Sequence, residues 1–142
     1  MASDRNILLI LEDSFDRMQR FERALESALQ DVRWFIANNQ AAMLKLIEQY
    51  AEETIAISLD HDLYPDGITD AGDGLGVARH LSEMEPFYPV IIHTSNGEQG
   101  RRMHGVLDAG GWDVRLAGAI GEHWVENDWI KEIEMIYRSS EA

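Results

Sequence analysis

Carboxylates, imidazoles and hydroxyl groups occur in three short clusters, and each cluster follows a run of branched apolar residues. The runs are NILLIL, TIAISL and PVII, which are short and continuous, as in strands that are buried on both faces. The clusters are Glu12 and Asp13 after the first run, Asp60, His61 and Asp62 after the second, and His93, Thr94, Ser95 and Asn96 after the third. Side chains of these types can bind a cation, hold an anion or transfer a proton.

The carboxylates point to a metal site. Carboxylates that lie close together disfavour one another's ionised form, so a cluster of them needs protonation or a bound cation. Oxygen ligands suit Mg²⁺, which keeps several waters and takes one or two carboxylates together with a phosphate. We predict that Glu12, Asp13 and Asp60, with Asp62 as a further candidate, hold Mg²⁺ (or Mn²⁺) beside a phosphate. The simpler interpretation of Asp13 is that it, or Ser14, caps the next helix.

The two imidazoles are candidate catalytic groups. Histidine exchanges its proton near neutral pH, so His61 and His93 are candidate general acids or bases, with Asp60 beside them as a third catalytic candidate. Each histidine also has a structural interpretation. His61 could be a solvated imidazole, and His93 could be a hydrogen-bonded histidine of the core.

A phosphate would need donors, and the third cluster offers several. Thr94, Ser95 and Asn96 carry hydroxyl and amide groups that could hold a phosphoryl oxygen, or that could only form the turn into the next helix. Arg101 and Arg102 follow this turn, and a guanidinium matches phosphate oxygens well. The alternative for both arginines is a solvated helix face.

The elements around these clusters alternate between strand and helix. The apolar runs and helical spacings predict five strands, near 6–11, 32–37, 54–59, 89–94 and 112–120, each followed by a helix. This order predicts an α/β fold of three layers, α/β/α, with a flavodoxin-like, doubly wound, five-stranded parallel sheet of order 2-1-3-4-5. Such sheets bind ligands beyond the carboxyl ends of strands 1 and 3, where the polar clusters fall.

Composition limits the classes of partner and chemistry. The 142 residues, 45% of them hydrophobic, suit one domain over residues 1–142. The net charge of −14 disfavours long nucleic acid held non-specifically but leaves room for a small phosphorylated ligand or an RNA end. The absence of cysteine excludes thiolate chemistry and disulfides.

The termini suggest where the protein is found and whether it forms dimers. The first apolar run is too short for a signal peptide or a membrane span, so we expect a cytoplasmic protein without membrane contact. Trp112, Trp124 and Trp129 lie towards the C-terminus, where the last helix could form a homodimer surface, although an inward aromatic stripe is more often core.

The stretch ILLILEDSFDRMQRFERAL, the Asp that ends strand 3 and the Thr and Ser that end strand 4 resemble the response-regulator receiver domain. The resemblance implies Glu12 and Asp13 as Mg²⁺ ligands, Asp60 as phosphoacceptor and Thr94 as the hydroxyl that senses the phosphoryl group. Receivers also carry a Lys at the end of strand 5, whereas this chain offers only Arg115, earlier in that strand.

Two motifs, SLDHDL and HTSNGEQGRRM, more closely resemble the cyclic-phosphate-processing receiver family. The residues that carry this match are His61, Asp62, His93, Thr94, Asn96 and Gly100. The resemblance implies opening of cyclic phosphates, such as RNA 2′,3′-cyclic ends.

Chemistry separates the two readings of the sequence. Transfer of a phosphoryl group to Asp from a good donor needs a carboxylate and Mg²⁺, whereas opening a cyclic phosphodiester expels an alkoxide and benefits from a general acid. The histidines therefore favour a metal-dependent phosphoesterase, in which His93 is the acid or base and His61 its helper. The alternatives are a receiver phosphorylated on Asp60 by a histidine kinase or other donor, and a degenerate receiver that only binds a protein partner.

Overall fold

The computed structural model describes residues 5–63, 71–118 and 121–141. The strands are β1 (Ile7–Leu11), β2 (Arg33–Ala37), β3 (Thr54–Leu59), β4 (Val90–Ile92) and β5 (Val114–Leu116). The helices are α1 (Phe15–Ala28), α2 (Gln40–Gln49), α3 (Gly74–Ser82), α4 (Gly97–Ala109) and α5 (Ile130–Glu141), and a π-helical turn at Val125–Trp129 runs directly into α5.

The five strands form one parallel sheet of order β2-β1-β3-β4-β5, which confirms the predicted flavodoxin-like topology. All residues of β1 and β3 are buried, as their continuous apolar sequences predict. The order places β1 beside β3, with Leu11 opposite Leu59, so the carboxyl ends of the two strands lie side by side. The switch point of the sheet therefore lies at the polar clusters.

Helices cover both faces of the sheet, and alternate residues of each strand fill two separate cores. Odd-numbered residues of β1 pack with α2, α3 and α4, whereas even-numbered residues pack with α1 and α5. Trp112 belongs to the first core, and Trp124 and Trp129 belong to the second. The core interpretation of these tryptophans is therefore confirmed.

The observed bounds of β1, β2 and β3 agree with the predicted ones to within one residue, whereas β4 and β5 are shorter than predicted. Each of these strands has three residues, because β4 pairs with its neighbours through only three register positions. His93 and Thr94 consequently follow β4 instead of ending it. Residues 119–120 of the predicted fifth strand, and residues 64–70 of the loop after β3, lie outside the described residues.

Side-chain caps begin the helices at the positions where the site residues cluster. Ser14 accepts a hydrogen bond from the backbone N–H of Arg17 and begins α1, which confirms the capping interpretation for Ser14. Asp73 and Asn96 cap α3 and α4 in the same way. Within the described ranges, no helix has both the length and the apolar character that crossing a bilayer requires.

Candidate functional site

Three side chains stand in a row at the carboxyl edge of the sheet. The strand ladder continues one residue past each strand, because the N–H groups of Glu12, Asp60 and His93 donate to carbonyls of the neighbouring strands at 2.9, 3.1 and 2.9 Å. All three side chains follow the alternation of their strands onto the α1/α5 face. They are almost completely buried, with exposed fractions of 0%, 3% and 0%.

These three residues form a group that could hold a metal ion, since one ligand atom from each lies within 4.8 Å of the other two. The group contains Glu12 and Asp60 from the predicted ligand set and adds His93. Asp13 is half-buried next to Glu12, and its backbone N–H donates to the Glu12 carboxylate. Asp62 contacts His61 and Asn96 instead.

Glu12 is held as an anion. Burial alone would raise the pKa of its carboxyl group, but hydrogen bonds and charge outweigh burial and leave the pKa below its ordinary value. Oε1 accepts a hydrogen bond from His93 Nε2 at 3.1 Å, and Oε2 accepts the backbone N–H groups of Asp13 and Ser14, each at 3.1 Å. These bonds orient the carboxylate towards Asp60.

The pKa of the Asp60 carboxyl group is shifted in the opposite direction, above its ordinary value. Burial raises the pKa of its carboxyl group to about 6, and the negative charge of Glu12 adds to this effect, while His93 and the backbone N–H of His61 oppose it. The N–H of His61 donates to Oδ1 at 2.8 Å. Because burial is the largest cause of the raised pKa, an ionised Asp60 is costly here unless a cation lies beside it. The two buried carboxylates of Glu12 and Asp60 therefore fit a small divalent cation.

The ring of His93 belongs to a chain of buried hydrogen bonds. The Glu12 carboxylate can only accept, so Nε2 of the neutral His93 ring donates to it and Nδ1 accepts from the Ser58 hydroxyl at 2.6 Å. Ser58 Oγ in turn accepts the indole N–H of Trp129 at 2.9 Å. Phe21 and Trp124 pack against the imidazole. His93 therefore holds Glu12 in place from within the core.

His61 lies in a separate polar network on the α3 side of the sheet, because it is one residue past Asp60 and strand alternation turns its side chain to the other face. Its Nδ1 lies 2.6 Å from Asp62 Oδ1, and its Nε2 lies 3.6 Å from the Asp73 carboxylate. Asn96 donates to the carboxylate of Asp62 at 3.3 Å. The two imidazoles that were predicted to act together therefore lie in separate hydrogen-bond networks.

The three polar residues that follow His93 differ in burial and in hydrogen bonding. Thr94 is buried and its hydroxyl accepts the N–H of Asn96 at 3.1 Å. Asn96 both caps α4 and binds Asp62. Ser95 is exposed.

The positively charged side chain at the site is that of Arg17, which was not among the predicted site residues. Arg17, in the first turn of α1, places Nη1 3.6 Å from Glu12 Oε1 and 3.5 Å from Asp60 Oδ2. Arg101 and Arg102 are exposed on α4, and Arg102 binds Gln99. Arg115 pairs with Asp113 and Glu132. Asp113 directly precedes β5, and Glu132 lies on α5, so the pairs of Arg115 lie away from the carboxylates of the site.

A signal for two of the missed residues was present in the sequence. Ser58 lies two residues before Asp60, so strand alternation puts both side chains on one face. Arg17 lies four residues after Asp13, on the first turn of a helix that starts at the same edge of the sheet. Trp129 had no comparable signal, because its contact depends on how the last helix packs.

Comparison with solved structures identifies the fold. The fold is similar to the signal receiver domain of a protein described as a Luxo repressor from Vibrio parahaemolyticus, with a TM-score of 0.70 and 18% identity over 96% of this chain and 92% of that chain. It is also similar to the phosphorylated cyanobacterial phytochrome response regulator RcpA, with a TM-score of 0.70 and 15% identity over 97% of both chains. The Mn²⁺-bound form of response regulator Rcp1 aligns with a TM-score of 0.58 and 16% identity over 94% of this chain and 90% of that one.

The fold is therefore that of a receiver domain of the response-regulator type. Residues 7–109 match the family described as the cyclic-phosphate processing receiver domain, and the chain belongs to that family. A comparison with curated protein sequences finds no match.

Proposed function

We propose that this protein hydrolyses a cyclic phosphodiester in a metal-dependent reaction at the carboxyl edge of its sheet, with RNA 2′,3′-cyclic phosphate ends as the substrate class. The observation that carries the proposal is an imidazole, His61, that pairs with the carboxylate of Asp62 and directly follows the buried Asp60 at the carboxyl edge of the sheet. The description of the matched family supports the same reaction. Phosphoryl transfer to Asp60 would need no such imidazole.

The reaction needs a proton donor for the leaving oxygen. Water attacks phosphorus and gives up one proton to solvent, while one bond from phosphorus to a ribose oxygen breaks and that oxygen takes up a proton. A general acid at the leaving oxygen typically accelerates such a step by about 10²–10⁴-fold. We assign this role to His61. Asp62 accepts from Nδ1–H of the ring, so Nε2 is the nitrogen that exchanges the proton.

His93 has a different role in this proposal. Its ring is fully buried, and its Nε2 already serves Glu12, so it orients the metal-binding carboxylate and is remote from solvent. The assignment of His93 as acid and His61 as helper is thereby reversed. Thr94 and Asn96 offer a hydroxyl and an amide for the phosphoryl oxygens.

Glu12 and Asp60 are the residues that would hold Mg²⁺ or Mn²⁺, with His93 behind them as the group that orients Glu12. When bound there, such an ion would neutralise charge on phosphoryl oxygens. Asp60 would also orient the attacking water through its carboxylate.

The test is an assay with 2′,3′-cyclic nucleotides and cyclic-ended oligonucleotides in the presence of Mg²⁺ or Mn²⁺, with the products separated by chromatography. We expect turnover by the wild type and a loss of about 10²-fold or more in kcat for His61→Ala. His80→Ala is the matched control, because His80 is an exposed histidine on α3.

The outcome that counts against this assignment is full turnover by His61→Ala. Lack of turnover by the wild type with either ion would contradict the proposed function itself. We do not favour the receiver alternatives, in which Asp60 accepts phosphate or the domain only binds a protein. Intact-mass measurement after incubation with acetyl phosphate checks the first of these.

A further inference from the structure

Arg17 occupies the position at which the charge of Glu12 and Asp60 is balanced. Its Nη1 contacts both carboxylates, and its guanidinium carbon lies 5.7 Å from the centre of the Trp124 ring. The guanidinium is therefore enclosed between the two acids and an indole face. Its side chain is still 25% exposed, so it has a route to solvent.

The contacts of Arg17 with the acids are loose. Both run from one nitrogen, at 3.6 and 3.5 Å, whereas a tight charge-assisted hydrogen bond is about 2.7–2.9 Å and a good arginine pair uses two nitrogens. The long contacts contrast with the backbone N–H of His61, which meets the Asp60 carboxylate at 2.8 Å. A cation held in this way can be replaced without breaking the bonds that orient the carboxylates.

A divalent ion and Arg17 would compete for the same charge. Mg²⁺ binds carboxylate oxygens at about 2.0–2.1 Å, so an ion between the two acids would lie close to Nη1 and repel it. A guanidinium that moves away from the acids stays on the same turn of α1, at the mouth of the site. There it is suited to bind phosphate oxygens, and no Lys stands at the end of the described β5 to do so.

We propose that Arg17 is the internal counter-ion of the Glu12–Asp60 pair, that a divalent cation displaces it, and that the displaced guanidinium then binds the phosphoryl group of the ligand. This inference rests on the metal site of the proposed function. Arg17 therefore has two roles. Without metal it neutralises the charge of the two carboxylates, and with metal bound it binds the phosphoryl group of the ligand.

Calorimetry of metal and phosphate binding tests both halves of the inference. We expect Arg17→Gln to bind Mn²⁺ about fivefold more tightly than the wild type, because it removes a competing ion pair. In the presence of saturating Mn²⁺, we expect the same variant to bind inorganic phosphate about tenfold more weakly, because a charged donor is lost. A residue with only a structural role would weaken both affinities or neither.

Two further variants sharpen the test. Arg20 also lies over the Trp124 ring, at 6.0 Å, but it pairs with Glu126, so Arg20→Gln should leave both affinities unchanged. Arg17→Lys keeps the charge and should stay near the wild type for Mn²⁺. Circular dichroism confirms that each variant is folded.

Unchanged or weaker Mn²⁺ binding by Arg17→Gln would overturn the displacement, and unchanged phosphate binding would overturn the anion-binding role. Absence of Mn²⁺ binding in all variants would overturn this inference together with the metal site. Normal Mn²⁺ binding that is insensitive to Arg17→Gln would overturn the inference alone and leave the proposed function intact.

Discussion

At the residue scale, two histidines of equal promise in the sequence have different surroundings in the folded protein. His93 is a fully buried link between Ser58 and Glu12, whereas His61 is paired with Asp62 beside the start of α3. The difference follows from strand alternation, because His93 shares a face with Asp60 and His61 does not. Neighbours in sequence are therefore poor guides to partners in the site.

Asp60 should lower the stability of the metal-free protein at neutral pH. The pKa of its carboxyl group is about 6 in the folded protein and 3.8 for an ordinary Asp, so the folded state binds this proton more tightly. Stability therefore falls as the pH rises from about 4 to about 6, and the full cost, on the order of 3 kcal/mol, is present above that range. We expect Asp60→Asn, in EDTA, to be more stable than the wild type by about 1–3 kcal/mol at about pH 8 and nearly equal to it at about pH 4.

Urea unfolding across this pH range measures the effect. Asp108→Asn is the control, because it removes one charge from an exposed side chain of α4. If Asp60→Asn were no more stable than the wild type at about pH 8, the burial of an ionised Asp60 would not be costly, and this account of the site would be wrong.

At the element scale, the start of α3 is seated directly on the end of β3. The N–H of Gly74 donates to the carbonyl of His61 at 3.0 Å, and Asp73 caps the helix while facing the His61 ring. The contact needs a residue without a side chain. A Cβ at Gly74 would lie 2.0 Å from the carbonyl oxygen of Asp60 and 2.8 Å from the terminal methyl of Met103.

Gly74→Ala should therefore destabilise the protein by about 2–4 kcal/mol and impair the site, because α3 must shift away from Asp60. The matched control is Gly105→Ala in α4, where an added Cβ meets nothing within 4 Å. That change should stabilise the protein by about 0.5–1 kcal/mol, since alanine favours helix more than glycine does. Chemical denaturation compares the two variants, and equal effects would show that the close approach at Gly74 is tolerated.

The turn before α5 is a second element that shapes the site. The π-helical turn at Val125–Trp129 begins directly after Trp124, which packs against the His93 ring, and ends with Trp129, which donates to the Ser58 hydroxyl. Such turns often occur at functional sites. The C-terminal segment thus completes the buried side of the site, while α1 supplies its cation.

At the scale of the whole molecule, the net charge of −14 opposes folding through self-repulsion. We expect the metal-free protein to become more stable by about 1 kcal/mol as NaCl rises from about 20 mM to about 0.5 M, because salt screens exposed charges. Tetramethylammonium chloride should act similarly, since this cation is too large for the buried group of Glu12, Asp60 and His93. A loss of stability with either salt would contradict the expectation.

Much of the fold was predictable because its signals are local. Apolar runs predict buried strands, helical spacing predicts the helices between them, and parallel strands joined by right-handed crossovers have few possible orders. The convergence of Glu12, Asp60 and His93 was predictable for the same reason, since the carboxyl ends of adjacent parallel strands meet at one edge. The lengths of β4 and β5 were less predictable, because pairing at the edge of a sheet sets them.

The sequence by itself determined which residues lie at the carboxyl edge of the sheet, because strand order and strand ends follow from local patterns of polarity. Only the tertiary structure decided what each residue does there. The packing of α1 brought Arg17 to the carboxylates, and the packing of the C-terminal segment brought Trp129 to Ser58, which is hydrogen-bonded to the His93 ring. Such contacts join elements that are remote in the chain, and burial then gives identical side chains different charges and partners.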